Sequence, residues 1–267
     1  LLIINNCASV LAYRGADLGH RQKENGKMKK GLAQRAGETI SSGIIYQGPS
    51  LIDGAPIVVL ATFSKRNKKT GAMVQTYILR DDMDPLTASK TGDDSAICGT
   101  CPHRGIPTTD PAAKQAKGRT CYVVLGQGVL SIWKAYQRGL YVHQSAADIG
   151  RGRMVRVGTY GDPAAVPGEV WDALLSEAAG WTAYTHQAGY RPAMAMQSAD
   201  TLAQALAFWE AGARTFRVVQ DVAEIDLARE VMCPASKEAG RRTTCEACKL
   251  CAGLATRSPK SVAIVQH

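Results

Sequence analysis

Aromatic residues are scarce in this chain of 267 residues, at 6%, with only three Phe. A core must therefore be built mainly from Ala, Val, Leu and Ile. At 45% hydrophobic residues there is material for a sizeable one, which argues against general disorder. No run of eighteen or more apolar residues occurs, so a helical membrane span is not expected. There is no Walker loop, no Gly-x-Gly-x-x-Gly fingerprint and no Gly-x-Ser-x-Gly elbow, which removes the common phosphate-cradling and serine-hydrolase readings. The Cys-x3-Cys-x2-Cys signature of radical S-adenosylmethionine chemistry is missing too. An initiating Met is absent, and the apolar opening Leu1–Ala12 has neither a basic start nor a clear cleavage pattern, so a fragment or an uncertain start is expected.

What the chain has is positive charge and cysteine. Its formal net charge is +9, which fits a polyanionic partner such as nucleic acid or simply a basic surface. Eight cysteines in a chain this long are not needed as disulfide staples, and six of them fall into two clusters with metal-like gaps. A reducing, cytoplasmic setting follows.

Composition shifts divide the chain into three. Residues 1–40 form a polar basic arm, with a short helix expected near Lys27–Arg35. Residues 41–94 form a β-hairpin extension, its strands Ile57–Phe63 and Met73–Leu79 joined by a polar turn whose cations Lys65, Arg66, Lys68 and Lys69 could clamp phosphates. Residues 95–267 form an α/β metal-binding domain. Strands are expected at 121–125, 154–158, 181–186, 193–197, 215–219 and 261–265. Helices are expected at 129–138, 167–179, 200–211 (capped by Ser198 or Asp200) and 222–230. That alternation predicts a parallel sheet, open or partly closed into a distorted TIM-like barrel.

Cys245-Glu-Ala-Cys248-Lys-Leu-Cys251 packs three thiols into one short loop, and Cys233-Pro supplies a fourth across a basic segment. Soft thiolates at this spacing favour an iron–sulfur cluster, 4Fe–4S first, with structural zinc as the alternative. Lys249, Arg241 and Arg242 would offset its negative charge. A possible second site is Cys98-Gly-Thr-Cys101-Pro-His103 with Cys121; His103 or Cys7 could complete it, or three thiolates could leave one iron open. In parallel α/β folds ligands meet the carboxyl ends of strands, so Asp162, His186, Ser198 and His267 are candidates for one shared mouth, where Asp and His could bind metal or move protons.

On these residues the chain resembles an uncharacterised group of phage proteins, the gene-product-eighty-eight-like family. The likeness rests on Cys98-x-x-Cys101 with Cys121-Tyr122, Gly161-Asp162, Tyr184-Thr185, Cys233-Pro with the C-terminal triplet, and the terminal strand ending in His267, and it covers about residues 95–267. It implies a phage-encoded, barrel-like α/β protein of an infected bacterial cytoplasm with thiolate-bound metal, and no particular activity. Two functions are therefore carried forward. One is an iron–sulfur protein with a redox partner or cluster-assisted chemistry, in which Asp162, His186 and His267 are the catalytic candidates. The other is a zinc-stapled protein that binds nucleic acid through its basic arm and hairpin tip.

Overall fold

The computed structural model describes residues 40–63, 67–240 and 242–266. The basic arm, Cys7, Lys65, Arg66, Arg241 and His267 lie outside them.

Eleven strands are found among the described residues: β1 (Gly43–Pro49), β2 (Pro56–Phe63), β3 (Val74–Arg80), β4 (Val142–His143), β5 (Met154–Tyr160), β6 (Gly180–Thr182), β7 (Tyr184–Thr185), β8 (Met196–Ala199), β9 (Thr215–Val219), β10 (Glu230–Met232) and β11 (Ser261–Val265). The helices are α1 (Pro85–Thr91), α2 (Ser95–Cys98), α3 (Leu130–Gln137), α4 (Ala146–Gly150), α5 (Gly168–Leu175), α6 (Leu202–Glu210) and α7 (Cys245–Cys248).

The strands make two sheets. The first runs β4-β1-β2-β3-β5-β6, with β1–β2–β3 antiparallel and the remaining pairs parallel. Its centre is β2, where Ile57, Val58, Val59, Leu60 and Ala61 are all buried; a continuous apolar run is what a strand covered on both faces requires. The second sheet, β10-β11-β9-β8-β7, is wholly parallel. The two meet at residues 180–185, where the chain leaves β6, passes Ala183 and enters β7.

This is an α/β fold with parallel strands; neither sheet closes among the described residues, and a TIM-like barrel is not shown. The hairpin expected as an extension is instead the middle of the first sheet, because β3 pairs along its free edge with β5.

Two expected elements differ. Residues 121–125 form no strand: Thr120 and Cys121 N–H groups donate to His103 O, and Arg119 Nη1 donates to the Cys121 and Val123 carbonyls. Backbone groups satisfied this way are not free for a ladder. The helix expected over 222–230 is a single turn at Val222–Glu224, held by a reciprocal Asp221/Glu224 cap. The chain then turns into β10, where Glu230 is drawn inward by the buried Arg217.

Alternation along the second sheet sorts its faces. Tyr184, Met196, Phe216, Val262 and Ile264 line one face and pack with Cys233 and Cys251. Thr185, Gln197 and Arg217 point the other way, as a period of two requires.

Candidate metal centre

Cys233 follows β10, and its N–H is fixed by Ala263 O of β11 at 2.7 Å. Cys245 and Cys248 lie on the single-turn α7, capped by the Thr244 side chain. Lys249 then takes a left-handed conformation, φ 59°, which turns the chain so that Cys251 faces back towards the others. Ala183 N–H donates to Cys251 O at 2.9 Å, seating this loop at the seam of the two sheets. Cys233, Cys245, Cys248 and Cys251 line one small pocket with Thr182, Tyr184 and Val262.

The hairpin turn docks on α7. Cys245 N–H donates to Lys69 O and Glu246 N–H to Thr70 O, both at 3.0 Å, while Glu246 Oε2 accepts from Ala72 N–H at 2.8 Å. The tip expected to clamp phosphates thus docks through its backbone on α7, and the charge of Lys69 bears on Cys233 and Cys245.

Burial pushes the thiols of Cys233 and Cys245 up and that of Cys251 to about 12. Thiolates form here only if cations offset them. Two arginines that the sequence reading missed do so. Arg214 is buried, donating to the carbonyls of Leu250, Gly253 and Lys260. Burial lowers its pKa, and Cys251 counteracts that. Arg156, on β5, donates to the Tyr122 hydroxyl at 2.7 Å and leaves its buried Nε without a partner. Burial alone would lower its pKa, but Tyr122, Tyr184 and Cys245 outweigh burial and raise it. Neither arginine pairs with a carboxylate among the described residues. Tyr184 completes the surround beside the Cys251 thiol, which it pulls down against burial.

The second set also converges. Cys98, on α2, is half-buried and its thiol is pushed well up by desolvation, with Asp94, Cys101, Cys121 and Asp162 adding to the shift. Cys121 is raised chiefly by burial and also by Cys101, against the pull of Arg119. Beside this set stand His103 and His186, their rings 5.5 Å apart edge to face. His103 Nε2 lies 2.9 Å from Asp200 Oδ1 and His186 Nε2 3.5 Å from the same oxygen. Thr201, rather than Ser198 or Asp200, caps α6, which leaves the Asp200 carboxylate to the histidines.

Burial alone would lower His186, but Asp200 and Cys101 push it up to about 10. Asp162 and His186 do meet, although through the backbone: His186 N–H donates to Asp162 Oδ2 at 2.8 Å, and Thr185 Oγ1 and Ala164 N–H bind Oδ1. Asp162 is thereby a buried brace. Ser198 sits within β8, paired with Phe216 of β9.

Spacing separates the two constellations. Among the described residues, the one set of three metal-ligating side chains with ligand atoms all within 4.8 Å of one another is His103, His186 and Asp200. The C-terminal sulfurs are set wider. A tetrahedral zinc with Zn–S of about 2.3 Å holds its sulfurs about 3.8 Å apart, whereas a cluster that offers each thiolate a different iron holds them further apart.

Cations in the middle of apolar strands, Arg156 in Met154-Val-Arg-Val157 and Arg217 in Thr215-Phe-Arg-Val-Val219, were the available signal for buried charge partners. No protein-family model, no curated protein and no solved structure matches the chain.

Proposed function

We propose that this protein is an iron–sulfur protein whose cluster, of the 4Fe–4S type, is held by Cys233, Cys245, Cys248 and Cys251. The observation that carries the reading is the convergence of four cysteines on one pocket, with no three of their sulfurs within 4.8 Å of one another. Arg156, Arg214 and Lys69 supply the positive charge that four thiolates around a cationic core leave unbalanced. Tyr184 beside Cys251 is placed to donate to its sulfur, a contact of the kind that tunes cluster potential. Electron transfer is the chemistry such a centre supplies. A second cluster on Cys98, Cys101 and Cys121, three thiolates with one iron open, is the extension of this reading.

Anaerobic purification tests it. The expected protein is brown, absorbs broadly in the visible through iron–thiolate charge transfer, and contains iron with acid-labile sulfide. Cys248→Ser should abolish that signal at the C-terminal site. A colourless protein carrying one tightly bound zinc that Cys248→Ser releases would replace this reading with a zinc staple. Full metal content in Cys248→Ser would refute the ligand assignment itself.

A further inference from the structure

We infer that His103, His186 and Asp200 form a site for one divalent first-row cation, zinc or ferrous iron, separate from the C-terminal thiol centre. Three donors from three segments meet here. His103 lies on the turn after Cys101, His186 follows β7, and Asp200 follows β8. Their ligand atoms all lie within 4.8 Å of one another. Two imidazoles and one carboxylate are the donor set of mononuclear sites that leave positions open to water or substrate.

Two observations beyond proximity point to an ion. His186 Nε2 is buried and has no hydrogen-bond partner, its nearest carboxylate oxygen being 3.5 Å away. A buried nitrogen left this way calls for an ion or a water. The outer contacts are also those of ligating histidines. His103 Nδ1 meets Thr120 Oγ1 at 2.8 Å, so a proton held there directs the Nε2 lone pair inward. His186 is held by its backbone N–H on Asp162, and Asp200 by its own N–H on Gln204 Oε1 at 2.7 Å. The site is therefore positioned by three sequence-distant anchors and lies at the carboxyl ends of β7 and β8, where parallel sheets present their ligands. Cys101 is a neighbour of His186 and not one of the three close donors. None of its ligands is a cysteine, so the inference stands apart from the C-terminal cluster, while Cys101 of the second thiol set adjoins it.

The test is a Co²⁺ titration of the anaerobically purified full chain after treatment with EDTA. Metal content is measured together with the absorption spectrum. The expected result is one Co²⁺ equivalent with the weak visible bands of nitrogen and oxygen coordination, alongside whatever the thiols hold. Asp200→Asn and His186→Gln should each weaken that equivalent at least about 100-fold, and Thr120→Val, which removes only the outer contact, about 10-fold. Metal at the four C-terminal cysteines should be unchanged in all three, so failure here is distinguishable from failure of the cluster reading. The inference is overturned if no such equivalent binds, if Asp200→Asn retains it, or if it shows intense thiolate charge transfer, which would make Cys101 the holder. Should Asp200→Asn fail to fold by circular dichroism, His103→Gln decides the matter by the same readout.

Discussion

Arg214→Met tests whether the buried arginines serve the thiol centre or only the fold. Arg214 is 4% exposed and its guanidinium donates to three carbonyls: Leu250 at 2.9 Å, Gly253 at 2.6 Å and Lys260 at 3.0 Å. Methionine keeps the apolar stem and orphans all three. Each orphaned buried acceptor costs about 1–3 kcal/mol. Removing a buried charge that has no carboxylate partner returns part of this, leaving a net loss of about 3 kcal/mol in the metal-free protein. For a chain of this size that lowers Tm by about 6–12 °C. The metal-bound protein should lose more. At an effective dielectric of about 20, two unit charges roughly 8 Å apart attract by about 2 kcal/mol, and the cluster proposed next to Cys251 would be anionic. The extra loss appears as release of metal to a competing chelator about 30-fold more readily than from the unsubstituted protein. The assay is chelator competition monitored by visible absorption, with thermal unfolding of both forms alongside. Equal Tm losses with and without metal, together with unchanged chelator competition, would refute the electrostatic role and leave Arg214 a tie for three carbonyls.

Two further substitutions follow from the same structure. Glu230→Gln breaks the bidentate pair with Arg217, contacts of 2.9 and 2.5 Å with side chains 0% and 3% exposed. It should cost about 3–5 kcal/mol in urea unfolding, because it leaves an uncompensated buried guanidinium; a loss under 1 kcal/mol would show that the pair is screened. Gly253→Ala places a methyl 2.3 Å from Pro192 O at a residue with φ +54°. Backbone must shift two residues after Cys251, so metal content at the C-terminal site should fall along with stability; unchanged metal content would show that the loop absorbs the methyl elsewhere.

The thiol constellation was legible in the sequence because spacing alone brings Cys245, Cys248 and Cys251 together, and because a parallel sheet carries Cys233 to the same end. Strands with strong apolar runs were legible for the same kind of reason: β5, β9 and β11 sit where periodicity put them. What was not legible depended on side chains from distant segments. Residues 121–125 have strand-like composition, but His103 O and Arg119 capture their backbone groups. The helix over 222–230 had the right periodicity, but Arg217 pulls Glu230 into the sheet. Asp200 read as a helix cap because Thr201, one residue on, has the same capping ability, and only the fold shows which of them faces the histidines.

The placement of positive charge alters what the net +9 means. As a total it pointed outwards, towards a polyanion. Yet Arg214 and Arg217 are buried, Arg156 has its Nε sealed from water, and Lys69 sits where its charge favours the thiolates of Cys233 and Cys245. Arg217 is answered by Glu230. Among the described residues Arg156 and Arg214 are answered by no carboxylate, and burying a cation without a counter-charge is costly. Part of the excess basicity is therefore internal to the molecule, close to the cysteine sulfurs. The hairpin tip follows the same logic: its backbone is committed to α7 through Cys245 and Glu246, so a ligand that displaced the tip would also loosen the cysteine helix.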